Sequence, residues 1–364
     1  MDFELSDEQV MLRDAVRKLL SDQAPDGDPG RDDDVDPQLW RLTAAQGWPG
    51  LALPDEFGGS GQGLVEFALV AEEVGRAAAR GPFLPTTLVG RALARGGPEP
   101  LRAEVLPLLA AGTGWATWAF AEPGSPWTPD GVRATARADG AAVVLDGVKT
   151  AVQDAGGASW LLVTAHDGAG PASFLVDRDA PGVTVRKQRV LDLTRAFYEV
   201  RLDGVRVPRE RHVGGDVQRL LDEGSILLAA ETLGVLERLL EMTVDHVKTR
   251  VQFGRSLGSF QAVKHKCATM MMLVLGTRAA AYYAAMAADA ESPDAERAAC
   301  VAASHASAVA GEVAGEALQL HGGIGFTWEH DLHHYLRRAH TDAVLHGDAA
   351  VHRDRLCELV RKPA

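Results

Sequence analysis

The residues best suited to chemistry lie in the C-terminal half of the chain. Arg250-Val251-Gln252-Phe253-Gly254 sets a guanidinium, an amide and a ring beside a glycine, at the end of a long helical pattern. Phe260-Gln261 follows closely, and Gln319-Leu320-His321-Gly322-Gly323-Ile324-Gly325-Phe326 comes much later. An arginine beside a backbone turn can hold a phosphate. It is equally how a helix C-terminus is steadied by a cation and closed by glycine, and for Arg250 alone that second reading is the better one. Gly322, Gly323 and Gly325 superficially suggest a dinucleotide loop. That fingerprint needs a strand before it and a helix after it, whereas an alanine-rich helical stretch precedes these glycines. They read as a helix stop whose bare backbone lets a ligand approach.

Acid–base candidates stand apart from those segments. Glu231 is embedded in Ile226-Leu227-Leu228-Ala229-Ala230-Glu231-Thr232-Leu233. An apolar surround raises a carboxylate's pKa, but an arginine partner would make it a buried ion pair, and that is the preferred reading. His346, in Leu345-His346-Gly347-Asp348, can exchange a proton near neutral pH or be one surface residue of a histidine-rich helix, with even weight on each. His330 and His334 stand one turn apart, as in some metal sites. The glutamate between two histidines that a zinc protease uses is missing, so no metal is expected. The three cysteines, Cys267, Cys300 and Cys357, are too far apart for a zinc pattern or a disulfide framework. A reducing, cytoplasmic setting fits them. No Gly-x-Ser-x-Gly elbow occurs.

The elements that position these residues follow from composition and period. The chain has 364 residues and a formal net charge of −13, which argues against a nucleic-acid binder. Asp26 to Asp36 reads as a solvated acidic loop. Met1 to Leu20 is charged throughout, without a signal-peptide core. Apolar runs such as Met270 to Leu275 are too short to span a bilayer. Val10, Leu12, Val16, Leu19 and Leu20 form a helical stripe with Ser6 or Asp7 as N-cap, and Leu64 to Ala79 forms another helix. From about Trp115 the period shortens. Val132–Ala138, Ala141–Val148, Trp160–Ala165, Ser173–Val176, Val183–Val190 and Phe197–Leu202 read as strands beside Asp-Gly or Pro-Gly turns, which predicts an antiparallel barrel or sandwich. Helices follow over Ile226–Gln252, Phe260–Ala290, Asp294–Leu320 and Thr341–Arg361, a four-helix bundle. The expected class is α+β, with a helical domain over 1–115, a β domain over 116–215 and the bundle over 216–364.

Several segments, taken together, resemble the acyl-CoA dehydrogenase family across essentially the whole chain. Gly47-Trp48 and Leu53-Pro54-Asp55-Glu56-Phe57-Gly58-Gly59 look like its N-terminal signature, and Ala121-Glu122-Pro123-Gly124-Ser125 like its β-domain signature. The Arg250–Gly254 and Gln319–Gly323 runs look like its two flavin-contacting segments. The resemblance implies FAD as cofactor and an acyl thioester as substrate, carried by coenzyme A or a carrier protein. It also implies electron transfer to an electron-transferring flavoprotein, and assembly into a dimer or tetramer without a membrane span. Arg250 and Phe253 would reach the FAD of a neighbouring subunit, helped by Gln252 and Gln261. Gln319, Gly322 and Gly323 would pack on it, with Ser125, Gln153 and Asp348 as further cofactor-side candidates.

The same resemblance exposes losses. Ala121 replaces the usual threonine, Pro126-Trp127 replaces the usual polar turn, and Lys149-Thr150-Ala151-Val152-Gln153 replaces an aromatic and a hydroxyl near the flavin ring. Trp127 and Gln153 are the available substitutes. The family removes an α-proton with a glutamate. Its two usual positions align with His346 and Gly224. Glu223 adjoins the second but is turned about 100° away on a helix. Glu231 shares that face about 10 Å further along. Three functions follow: a dehydrogenase with an unusual base (His346, Glu231 or Glu223), a non-catalytic partner in a heteromeric dehydrogenase with another dehydrogenase-like subunit, or a member repurposed for oxidase or monooxygenase chemistry. The first is the leading expectation.

Overall fold

The computed structural model describes residues 5–21 and 34–361. Most of the expected acidic loop therefore lies outside the described residues.

Five helices open the chain: α1 (Asp7–Ser21), α2 (Pro37–Ala45), α3 (Leu64–Arg76), α4 (Phe83–Gly96) and α5 (Glu99–Ala110). The start of α2 is set by its cap: the Asp36 carboxylate accepts N–H bonds from Gln38 and Leu39, and Pro37 takes the first turn, where no N–H partner is needed. α3 is anchored from far along the chain, because Asp289 accepts the N–H groups of Leu64 and Val65 at 2.8 and 2.9 Å.

The middle section is a mixed sheet. Its strands are β1 (Ala116–Ala119), β2 (Thr135–Asp139), β3 (Ala142–Gln153), β4 (Trp160–His166), β5 (Pro171–Asp177), β6 (Val183–Lys187), β7 (Phe197–Pro208) and β8 (His212–Val213). They run in the order β6-β7-β3-β2-β4-β5-β8, with β1 paired to β4. Most pairings are antiparallel, as the turn spacing predicts, but β1 runs parallel to β4 from Ala116↔Trp160 to Ala119↔Val163. The β2–β3 hairpin lies between them and returns the chain to its original direction. Register shifts in the β3–β7 pair bend the end of β3, where Ala151 has φ 49.

The C-terminal section holds α6 (Val217–Thr249), α7 (Gln261–Asp289), α8 (Ala295–His321), α9 (Leu332–Asp342) and α10 (Ala349–Arg361). α6 is buried almost all round from Leu220 to Leu240 and forms the centre of the bundle. Gly234 lets it meet α3 closely, since a Cβ there would fall 1.7 Å from the Glu72 carbonyl oxygen. Two expected helix bounds need correction. α6 stops at Thr249, and Gln252 lies instead in a short hairpin of β9 (Val251–Gln252) and β10 (Arg255–Ser256). Its turn places Phe253 at φ 53 and Gly254 at φ 78, values a helix does not allow. The expected helix from Thr341 to Arg361 is broken as well, because His346 (φ 57) and Gly347 (φ 104) turn the chain between α9 and α10.

The apolar-run argument also understated α7. Among the described residues it is the helix long and apolar enough, by length and composition, to cross a membrane. Here it packs between α6 and α8, with Val274, Ala281, Ala284 and Ala285 buried in the core.

Candidate functional site

A cavity opens where α4, α6, the end of β1, the end of β3 and the α9–α10 turn converge; Trp118, Trp127, Gln153, Arg195, Gly224 and His346 line it. Aromatic rings fill much of it. Trp118 and Phe120 lie 4.7 Å apart between centroids, Phe120 stacks on Trp127 at 5.8 Å, and His346 meets Trp127 at 5.3 Å and Trp118 at 6.2 Å. Trp118 is fixed by an Nε1–H bond to Thr164 Oγ1 at 2.9 Å. Gly224 makes room for the histidine: a Cβ at that position would lie 2.8 Å from His346 Cε1 and 2.9 Å from Nδ1. The two positions at which the family resemblance expects a glutamate thus face each other, one emptied and the other filled by a ring.

His346 is neither the surface residue nor the near-neutral base expected of it. It sits deep in the protein, and the surface it keeps faces the cavity. Burial pushes its pKa down to about 4, so the ring is neutral and weakly basic at physiological pH. Its Nδ1 has no hydrogen-bond partner among the described residues.

The two glutamates are held elsewhere. Glu231 receives Arg338 Nε at 2.7 Å and also pairs with Arg195. Burial alone would raise its pKa, as its apolar neighbours imply, but the two guanidinium groups override that and hold it below the ordinary range. Arg338 Nη1 also donates to Ala79 O and Thr194 Oγ1, both at 3.0 Å, and Arg195 reaches Asp342 at 2.8 Å. The group ties α6, α9 and the loop before β7 into one unit, and burial raises Asp342 to about 7. Glu223 turns towards α4, where Arg91 meets it at 3.1 Å and Arg95 closer still. There too burial is outweighed by the arginines, and the pKa is lowered. Of the three expected bases, Glu223 and Glu231 are committed to arginines, whereas His346 faces the cavity with Nδ1 unpartnered among the described residues but is a weak base.

The β-domain wall is internally bonded. Lys149 is wholly buried and donates to Phe120 O at 3.1 Å and Glu122 Oε1 at 2.6 Å; burial lowers its pKa and Glu122 partly restores it. Glu122 also accepts the Arg133 and Ala134 N–H groups, each at 2.9 Å. The Ala121 carbonyl takes the Thr150 N–H, Thr150 Oγ1 accepts from Gln188, and Gln153 Nε2 donates to Asp154. Ser125 Oγ is buried without a partner among the described residues. Asp348, expected on the cofactor side, caps α10 by accepting the Ala350 and Val351 N–H groups at 3.0 Å. Much of this wall is bonded within the chain, while Thr117 Oγ1, Arg195 Nε and Nη1 and His346 Nδ1, which line the cavity, are buried without partners among the described residues.

The opposite edge fits a cofactor better. Arg250, Gln252, Gln261, Gln319, Gly322 and Gly323 are exposed, and Phe253 is 91 % exposed. Arg250 makes no ion pair among the described residues. A Cβ added at Gly322 or Gly323 would meet nothing within 4 Å, so the backbone is open to a ligand. Phe326 and Trp328, 75 % and 60 % exposed, extend an apolar margin beside these donors, as at a subunit interface. His246 stacks on His321, so the Arg250 and Gln319 segments meet in space. His330 and His334 do not form the expected one-turn pair, because α9 begins only at Leu332. Among the described residues no group of three or more His, Cys, Asp or Glu is placed to share a metal.

Sequence reasoning missed Trp118, Phe120, Arg195, Arg338 and His246. The first two alternate at strand period, which places them on one face. The others are brought together only by tertiary contacts.

The "Acyl-CoA dehydrogenase, N-terminal domain" family matches residues 6–113, and the "Acyl-CoA dehydrogenase, C-terminal domain" family matches 215–360. The chain is similar to acyl-CoA dehydrogenase IpdE2 of Mycolicibacterium smegmatis, 34% identical over 94% of this chain and 96% of the relative. It is similar in structure to the ChsE4–ChsE5 complex of Mycobacterium tuberculosis, with 30% identity, full coverage of both chains and TM-score 0.92. A Tcur3481–Tcur3483 steroid ACAD variant matches at 32% identity, 97% of each chain and TM-score 0.90.

Proposed function

This chain belongs to the acyl-CoA dehydrogenase family, and we propose that it is a non-catalytic subunit that completes the FAD site of a dehydrogenase-like partner. FAD is the family's cofactor, and its chemistry is the dehydrogenation of acyl-CoA thioesters. Bound FAD accepts the hydride that leaves the acyl β-carbon. The partner in this reading supplies the base and the acyl thioester pocket and passes electrons to an electron-transferring flavoprotein. This chain supplies Arg250 as a charge-assisted donor to the pyrophosphate. Phe253 and the Gly322–Gly323 backbone provide the surface against which the cofactor lies.

The contrast within one protomer carries the reading. The outward donors are exposed, whereas the inward wall holds Glu223 and Glu231 in arginine pairs and keeps His346, a weak base, at the position expected of a glutamate. Two of the similar structures bear two chain names each, in keeping with a pair of unlike subunits. Burial leaves His346 in its proton-accepting form but lowers its pKa to about 4, which makes it a weak base for an α-proton.

The test is flavin content. The protein purified alone should carry little FAD and no dehydrogenase activity. Co-expression with a dehydrogenase-like chain from a neighbouring gene should give a stable complex with flavin bound at the shared edge. One flavin per chain and acyl-thioester turnover by the protein alone would overturn the proposal.

A further inference from the structure

Three imidazoles meet at the exposed edge. His246 lies on α6, His321 ends α8, and His330 precedes α9. The His246 and His321 rings stack at 4.5 Å between centroids, and His330 meets His321 edge-on at 4.9 Å. The stack joins the two outward segments. The Arg250 N–H donates to the His246 carbonyl at 2.8 Å, and His321 directly precedes Gly322.

Hydrogen bonds set the protonation of two of these rings. Leu332 N–H donates to His330 Nδ1 at 3.1 Å, so that nitrogen carries no proton. His321 Nδ1 lies 2.7 Å from the Ala317 carbonyl, which only accepts, so Nδ1 holds the proton and Nε2 is bare. Nε2 is buried and has no partner among the described residues. A second proton on His321 would create a buried cation against two further imidazoles, with the Met242 backbone as the nearest acceptor.

The surroundings supply little compensation. Arg250 and the Met242 backbone approach from α6, and the Ala317 carbonyl from α8. Asp331 lies in the loop and bears on His333 and His334 of α9, whose rings touch at 3.9 Å beside Arg337. Burial lowers the pKa of His246 and His321, and the neighbouring imidazoles and, for His246, Arg250 push in the same direction.

We propose that the His246–His321–His330 stack positions the Gly322–Phe326 turn only while the His246 and His321 rings are uncharged, so that acid undocks the turn and releases flavin from the shared site. The inference rests on the reading of this turn as a cofactor-holding edge. The sign follows from linkage. Rings whose pKa is depressed in the folded protein stabilise it fully above the ordinary imidazole value of about 6.5 and lose that contribution as pH falls below it. Each of these two rings weakens the docked turn by at most about tenfold per pH unit, over the window between its ordinary and its depressed pKa.

Hydrogen exchange of the chain alone, corrected for intrinsic chemistry, tests the device without flavin. Between about pH 7.5 and about pH 5.5, protection over 318–331 should fall by roughly tenfold or more, while 226–240 in α6 stays protected. His330→Asn retains an acceptor for the Leu332 N–H and removes an imidazole that bears on His246 and His321. Combined with His246→Gln it should lessen the loss of protection at the lower pH, leaving only the part carried by the burial of His321. Equal protection of the wild-type turn at both pH values, or the same loss in the variants, would overturn the proposal. If the double variant does not fold, His330→Asn alone, at a half-buried loop position, should recover part of the lost protection, and no recovery would overturn it. Flavin retained by the complex over the same range is the second readout. No retention even at the higher pH would refute the shared-site reading, and the exchange result would still decide the switch.

Discussion

The inner cavity and the outer edge are built from the same kinds of residue and do opposite things. At the edge, Arg250, Gln252 and Gln319 lie exposed at a strand entry, on a hairpin and at a helix end. Around the cavity, Gln153 and Lys149 donate to this chain's own acceptors and Arg195 pairs with Glu231 and Asp342, while Arg195 Nε and Nη1 are buried without partners among the described residues. A polar group that must bind a ligand has to be left unsatisfied by its own fold, and burial makes that costly. The edge leaves its donors to water until a ligand arrives. The cavity has closed on its own.

The largest effect that would break this comparison is at Glu231. If the glutamate is the pin between α6, α9 and the β domain, Glu231→Gln leaves Arg195 and Arg338 buried without their shared counter-charge and should cost about 3–5 kcal/mol of stability. Chemical denaturation of the purified protein measures it. A loss confined to activity, with stability intact, would return Glu231 to the candidate bases.

Arg250→Ala addresses the other region. Loss of a charge-assisted donor worth about 1.5–3 kcal/mol should weaken FAD retention by the assembled enzyme roughly ten- to hundredfold. Denaturation of the isolated chain should change little, since Arg250 has no ion-pair partner among the described residues. Unchanged flavin content would remove Arg250 from the site.

A matched pair of glycine substitutions sharpens the contrast. Gly224→Ala drives a methyl into the His346 ring, where the approach would be 2.8 Å, and overpacking of this kind costs about 1–3 kcal/mol. Gly323→Ala meets open space and should leave stability almost unchanged. It should instead reduce flavin retention, because the added methyl faces the ligand side. Equal destabilisation by both would mean that the edge is packed as tightly as the cavity.

These regions differed in how far the sequence reveals them. The edge was readable because its determinants are local: a helix end, a glycine and a donor within five positions, Arg250 to Gly254. The order of helices, strands and helices was readable from the change of period. The parallel β1–β4 pairing was not, because strand direction depends on the number of reversals between two strands, which alternation within each does not encode. The break at His346 was equally hidden, since a histidine in a polar, periodic stretch gives no sign of positive φ. Glu231 was recognisable as a buried carboxylate in need of a partner, but Arg195 and Arg338 are distant in sequence and nothing local selects them. His346 was misjudged for a related reason. Its lowered pKa comes from burial, which the fold creates by bringing Trp118, Trp127 and α6 around the ring.

The smallest expected effect is therefore the most decisive one for function. A general base contributes roughly 10²–10⁴-fold to turnover, so His346→Ala would abolish most activity if this ring took the α-proton. Burial holds the ring neutral with a pKa of about 4, and Gly224 and two indoles occupy its surroundings. On the non-catalytic reading, His346→Ala in the assembled complex should change kcat by no more than about twofold, far below a general base's contribution. His346→Phe, which keeps a ring in the cavity, controls for packing. If both variants retain turnover, the base belongs to the partner. If His346→Ala and His346→Phe both lose it by two orders of magnitude or more while flavin content is normal, the cavity is a working active site and the division of labour between the two regions is wrong.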